Sequence, residues 1–244
     1  LSIEKLLDLT DAPETPDLLY SHPLFPEPPP DRPYVFINMV STADGKILQG
    51  PIGSTAKGLG SPTDQMLMRR LEDSAEAVVI GAGTLRPGQV VYPFPLWRVV
   101  VTRSGKLPLE NRFFTDPPGR AIVFAPEALS VETRERLERA ARVRLVGQEE
   151  VDLRAALRLL REEFGVRRAL LEGGAAINYD FFEKGLVDEL FLTLAPKIKG
   201  GAHLPTVVDG PGLPGHAFIA MQLLSLYRDA SELYLRYRVL RREG

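Results

Sequence analysis

Residues Leu170–Gly201 read LLEGGAAINYDFFEKGLVDELFLTLAPKIKGG. The run Arg168–Leu171 predicts a buried strand, which ends in a carboxylate, Glu172, followed by Gly173 and Gly174. Ala175–Lys184 then predicts a helix stopped by Gly185, and Asp188–Ala195 a second strand, apolar on both faces. Strand, glycine turn, helix and strand in succession is the repeating unit of a parallel sheet. The first N–H groups of such a helix are unpaired and lie at the positive end of its dipole, a place that receives pyrophosphate. Glu172 falls at the carboxyl end of its strand, where open α/β sheets bind their ligands. There it is placed to accept hydrogen bonds from N–H or O–H groups of an organic ligand beside the cradle.

The same alternation extends outward. Upstream, Tyr34–Val40, Ala77–Gly81, Arg98–Thr102, Arg120–Ala125 and Val143–Val146 predict strands. Ser61-Pro62-Thr63-Asp64 predicts a helix start, with serine at the N-cap, proline in the first helical position and an acid in the first turn. Leu67, Leu71 and Ala75 recur four apart behind it, and Val131–Arg142 and Val151–Phe164 predict two further helices. Downstream, Phe218–Arg228 and Glu232–Val239 predict a hairpin turning at Asp229-Ala230-Ser231, with period-two alternation at Leu233, Leu235, Tyr237 and Val239. The fold class is therefore α/β: a mixed, mainly parallel sheet with helices on both faces and a C-terminal antiparallel hairpin. Residues 1–33 read as a proline-rich N-terminal arm in which Ser2–Leu9 predicts a short helix, and residues 34–244 as a single domain. Leu18, Leu19, Leu24 and Phe25 are too apolar for that arm to be free.

Composition removes several function classes. The 244 residues are 44% hydrophobic and 25% charged, enough for a substantial core, and the net charge of −2 argues against a bulk electrostatic grip on nucleic acid or an anionic membrane. With no cysteine, thiolate catalysis, disulfides and cysteine-ligated metals are excluded. The 3 histidines, His22, His203 and His216, stand at no metal-ligand spacing, so no metal is expected. No apolar run reaches the ~18 residues of a membrane span and no signal peptide is read, so a cytoplasmic location is expected.

Two further stretches could approach a ligand. Ala77–Arg86, AVVIGAGTLR, runs a buried strand into glycines, with Arg86 where a dinucleotide fingerprint has its third glycine. Arg32–Ile47, RPYVFINMVSTADGKI, runs a strand into small and polar residues and a turn at Asp44-Gly45; alone it is an ordinary turn. In this order and spacing the three stretches resemble the reductase domain of riboflavin biosynthesis, the C-terminal half of the bifunctional deaminase–reductase. The resemblance spans about Arg32 to Val239, and the EGG segment followed by GLVDEL and APK is its most specific part.

The resemblance implies a dihydrofolate-reductase-like fold, a homodimer, and NADPH as the reductant of 5-amino-6-(5-phosphoribosylamino)uracil, whose ribosyl group becomes ribityl. It implies that Ser41, Gly83, Thr84 and the backbone through Gly173, Gly174, Ala175, Ala176 and Ile177 line the NADPH site. Asn38, Asp44, Ser61 and Glu172 are then expected at the substrate, with Glu172 and Asp44 the catalytic candidates. The companion deaminase binds zinc through histidine and cysteine, and a chain without cysteine is expected to carry no such domain. Departures are also present. Leu71-Glu72 stands where the family usually has Leu-Arg, the arginine serving the substrate phosphate; Arg69, Arg70 and Lys57 are the cations that could replace it. Arg86-Pro87-Gly88-Gln89 replaces the usual acid and Asp-Pro. Two other readings stand beside this one: a paralogous NADPH reductase of another pyrimidine or a pteridine, and an inactive nucleotide-binding regulator.

Overall fold

The computed structural model describes residues 2–48, 56, 58–85, 91–93 and 95–240. Among them ten strands form one sheet: β1 (Glu4–Asp8), β2 (Tyr34–Thr42), β3 (Ala77–Gly81), β4 (Trp97–Val101), β5 (Ala121–Ala125), β6 (Arg142–Leu145), β7 (Arg168–Leu171), β8 (Glu189–Ala195), β9 (Met221–Asp229) and β10 (Glu232–Val239). Their order across the sheet is β1-β9-β10-β8-β2-β7-β3-β4-β5-β6. Every neighbouring pair from β8 to β6 is parallel, whereas β10 runs antiparallel to β8 and β9, and β1 antiparallel to β9. The mainly parallel sheet with a closing hairpin is the architecture expected from the sequence.

Alternation along the buried strands divides the core between two faces. Phe36, Val78, Ile80 and Leu170 join one cluster with Leu67 and Leu71 of helix α1 (Pro62–Asp73). Val35, Ile37, Val79 and Leu171 join the other, with Leu153, Leu157 and Leu160 of α5 (Leu153–Glu162) and Ile177 and Phe181 of α6 (Ala175–Glu183). Shorter helices α2 (Ala82–Leu85), α3 (Arg112–Thr115) and α4 (Val131–Glu138) complete the connections. The expected start of α1 is present: Ser61 is the N-cap, its hydroxyl oxygen accepting the Asp64 N–H at 3.2 Å. Asp152 caps α5 in the same way, accepting from Arg154 and Ala155. Between the sheet's central strands, Arg32 donates to both oxygens of the buried Asp188 at 2.6 and 2.8 Å, and Asp188 also accepts the Val35 N–H.

The N-terminal arm differs from its reading at one point. Ser2–Leu9 forms no helix; Glu4–Asp8 is strand β1 at the sheet edge. A segment this short cannot offset helix nucleation by itself, and pairing with β9 supplies the backbone partners instead. Asp8 fixes the turn that follows, accepting the Thr10 N–H at 3.0 Å and the Tyr227 hydroxyl at 2.6 Å. Of the arm's apolar residues, Leu19 is buried and Phe25 packs on Phe36, whereas Leu18 and Leu24 stay exposed.

Candidate active site

Parallel strands β2, β7 and β3 lie side by side, and their carboxyl ends bring the three sequence stretches to one edge of the sheet. Ile37 of β2 and Val79 of β3 both pair with Leu171 of β7. One residue further, Asn38, Glu172 and Ile80 therefore stand level, on the α1 face by the strand alternation. The Glu172 N–H donates to the Val79 carbonyl at 3.0 Å, which fixes its backbone between the neighbouring strands.

The chain then turns sharply. Gly173 and Gly174 have φ of 58° and 88°, a region that side chains rarely tolerate. A Cβ on Gly173 would meet the Asn178 amide and the Met39 sulfur at 3.2 Å, and one on Gly174 would meet Thr84 Oγ1 at 3.1 Å. The Gly173 carbonyl accepts two hydrogen bonds, from Thr84 Oγ1 at 2.7 Å and from the Gly81 N–H at 3.2 Å. This pair clamps the glycine turn of β7 to the Gly81–Thr84 turn that ends β3. Gly174 is the N-cap of α6 and provides no side-chain cap. The first helical N–H groups, from Ala175, Ala176 and Ile177, thus point out of the helix start, with Ala176 exposed beside them. These residues fit a dinucleotide phosphate: an open helix N-terminus, two glycines that leave the backbone bare, and an adjoining turn held by a threonine.

Beside the cradle the site is acidic. Glu172 Oε1 is fully enclosed and has no hydrogen-bond partner. Burial pushes the Glu172 carboxyl up to about 8, the Glu72 carboxylate adds to the shift, and an interaction with the Tyr92 hydroxyl opposes it. Glu72, on the last turn of α1, is only 7% exposed. Burial pushes it up to about 7, with Asp73 adding and Arg69 opposing. Burial thus favours the protonated form of the Glu172 carboxyl, which can donate as well as accept, where the sequence reading made it an acceptor. Tyr92 carried no sequence signal, since it lies in a loop without a motif and meets Glu172 only through the tertiary fold. Glu72 was visible only as a departure.

The other expected residues fall as follows. Ser41 is buried near the end of β2, opposite Leu194. Gly83 lies in α2, with open space where a Cβ would stand. Asp44 is exposed and accepts from Thr42 Oγ1 at 2.6 Å and from the Lys199 and Gly200 N–H groups at 3.0 and 2.7 Å, which lower its carboxyl to about 2. It ties the turn after β2 to the loop after β8 and stays ionised. Ser61 caps α1 and donates its hydroxyl to Glu232, so both functions of that oxygen are engaged within the fold. Of the replacement cations, Arg70 is held by the arm, donating to the carbonyls of Leu19 and Asp17 at 2.8 and 3.0 Å. Arg69 is exposed beside Glu72, and Lys57 and Arg86 lie outside the described residues.

Comparison with known proteins adds an independent line. The RibD C-terminal domain model matches residues 33–235. The 2,5-diamino-6-ribosylamino-4(3H)-pyrimidinone 5′-phosphate reductase of Methanothermobacter thermautotrophicus is 31% identical over 222 residues, covering 85% of this chain and 99% of the relative. The reductase of the same name from Archaeoglobus fulgidus is 31% identical over 196 residues, covering 73% of this chain and 87% of that one. Among solved structures, Acinetobacter baumannii RibD superposes with a TM-score of 0.72 at 19% identity, over 87% of this chain and 59% of that one, a likeness of fold. A continuous match over residues 33–235, with the glycine cradle inside it, leaves no ambiguity of kinship: this chain belongs to the RibD C-terminal domain family.

Proposed function

We propose that the chain is the NADPH-dependent reductase that converts the ribosylamino side chain of a 6-(5-phosphoribosylamino)pyrimidine to its ribityl form in riboflavin biosynthesis. The observation that carries the reading is the junction at Glu172–Gly174, where a bare helix N-terminus adjoins a carboxyl with an unpartnered oxygen. Relatives matched over nearly their whole length are named as reductases of the 2,5-diamino-pyrimidinone phosphate. The uracil expected from the sequence differs from it only at ring position C2, oxo in place of amino.

When bound, NADPH supplies a hydride to C1 of the sugar, which ring opening exposes as an imine-like carbon. The protein binds, orients and shields. The N–H groups of Ala175, Ala176 and Ile177 receive the dinucleotide phosphates, and Thr84 holds the turn that presents them. Glu172 donates a hydrogen bond to an oxygen of the pyrimidine or sugar, and Asn38, level with it on β2, supplies an amide. Asp44 keeps the loop after β8 closed over the carboxyl end of β2. Holding the two reacting carbons together contributes most of the acceleration, because no covalent nucleophile is required.

The test is direct. The purified protein, supplied with NADPH and each pyrimidine phosphate in turn, is expected to oxidise the nicotinamide and yield a product heavier by two hydrogens. No oxidation with either pyrimidine overturns the assignment; oxidation with NADH alone overturns the choice of cofactor. We further propose a cytoplasmic homodimer. Among the described residues no helix is long and apolar enough to cross a membrane. Phe218, Met221 and Leu240, all exposed, lie at and around the start of β9 and the end of β10 and leave apolar surface for a second copy. Light scattering at micromolar concentration is expected to give twice the chain mass.

A further inference from the structure

The N-terminal arm takes no part in the candidate active site, yet it builds a second cavity. Residues 9–11 and 24–26 close over the β9–β10 hairpin and leave a pocket of about 280 Å³. Arg236 and Arg238, two residues apart on β10, line it from one face of the sheet, and Gln222 joins them opposite Arg238 on the ladder. The register sets this pocket away from the glycine cradle. Arg238 pairs with Glu189 at the start of β8, whereas the candidate site adjoins the carboxyl ends of the parallel strands.

Arginine is seldom buried without a partner. Arg236 is 4% exposed, and its guanidinium is fixed on two sides. Nε donates to Glu189 Oε2 and Nη2 to the Leu24 carbonyl, both at 2.8 Å. The rings of Phe25 and Phe191 stand with their centres 5.3 and 5.1 Å from its Cζ. Nη1 has no hydrogen-bond partner among the described residues and is not an enclosed atom, so its donors are left to the pocket that Arg236 lines. Arg238 is exposed and its side chain makes no hydrogen bond or ion pair among the described residues. Asp11 of the arm is the one acid among the described lining residues, and Leu9, Leu24, Phe25, Pro26 and Leu224 supply apolar wall.

We propose that this pocket is a second ligand site, which binds a small organic anion by a carboxylate or phosphate head on an apolar body. Arg236 Nη1 and the Arg238 guanidinium donate to the oxygens of the head, the Gln222 amide lies beside them, and the apolar wall takes the body. Glu189 offsets the charge of Arg236, but the charge of Arg238 has no such partner and is available to the anion. Because its other nitrogens are already held, Arg236 is organised before the ligand arrives and loses little freedom on binding. The site belongs to the arm and the hairpin alone and does not depend on the proposed reaction.

The experiment is a nitrogen-15 NMR titration of the full chain with benzoate and, separately, with phenyl phosphate, at low and constant ionic strength. At least one of the two is expected to give saturable shifts at the Gln222 side-chain amide and the Leu224 and Arg236 backbone amides, with a Kd below ~10 mM. The tighter of the two tells a carboxylate site from a phosphate site. Benzamide, the same ring without the charge, is expected to bind at least ~10-fold more weakly than benzoate or phenyl phosphate, whichever binds. Arg238→Gln, a change at an exposed side chain, is expected to keep the wild-type Tm and to weaken the anion ~10-fold. No saturable shift at those amides with either anion overturns the proposal, as does equal binding of benzamide or an unchanged affinity in Arg238→Gln. Shifts confined to the amides of Gly173–Ile177 put the anion in the cradle and overturn it as well.

Discussion

Gly174→Ala adds one methyl group to the centre of the cradle, and its cost can be worked from two local terms. The position has φ of 88°, where an L side chain carries ~1–3 kcal/mol of backbone strain. The new Cβ would lie 3.1 Å from Thr84 Oγ1, so Thr84 must shift and its 2.7 Å bond to the Gly173 carbonyl lengthens. Losing that bond costs ~0.5–1.5 kcal/mol, the Gly81 N–H retaining part of the carbonyl's satisfaction. With some relaxation, ~2 kcal/mol of stability should be lost, which for a chain of this size lowers Tm by roughly 4–8 °C. The same distortion tilts the N–H groups of Ala175–Ile177, and NADPH affinity should fall at least ~10-fold, or ~1.4 kcal/mol. Thermal unfolding and a fluorescence titration with NADPH read the two effects on one sample. In a Thr84→Ala background the steric part is gone, so the two substitutions together should cost less than their sum. An unchanged Tm refutes the strain argument; a lowered Tm with an unchanged Kd for NADPH removes the phosphates from this helix start.

Glu172→Leu, which keeps the bulk but removes the hydrogen-bonding group, is expected to lower kcat/KM by ~10²-fold, or ~2.7 kcal/mol, with NADPH affinity nearly unchanged because the cradle is backbone. Full activity with a lowered Tm would leave Glu172 a structural residue. The acids also predict how stability depends on pH. Burial raises Asp64 to about 6, Glu72 to about 7 and Glu172 to about 8, so the folded chain holds protons that the unfolded chain, with its ordinary carboxyls, releases. Their contribution is complete in acid and is lost as pH rises through those values, so Tm should fall from about pH 5 to about pH 8.5, and less steeply in Glu72→Gln/Glu172→Gln. A Tm that rises over the same range contradicts the burial of these groups.

What could be read from the sequence was the part of the fold that local pattern determines. The strands β3, β7 and β10 have bounds in the structure equal to those expected, because their apolar residues are bounded by glycine or a turn. The cap of α1 and the glycine turn before α6 were legible for the same reason: one residue type satisfies a local backbone requirement. Strand β1 was not, since Glu4–Asp8 has no buried alternation and becomes a strand only because β9, over two hundred residues away, offers an edge. In the site, Glu172, Gly173 and Gly174 stood out as a motif, whereas the approach of Tyr92 to Glu172 and the burial of Glu72 are products of tertiary folding. Ser61 shows the converse: a residue expected at the ligand has its hydroxyl engaged by Asp64 and Glu232.

The central claim is that this chain carries a hydride from a nicotinamide to the sugar carbon of a ribosylaminopyrimidine phosphate. It is tested most directly with NADPH deuterated at C4 of the nicotinamide, on the transferred face, followed by NMR of the product. The account predicts one deuterium at C1 of the ribityl chain and none on the pyrimidine ring. A product with deuterium on the ring, or a reduced product with none, would contradict it.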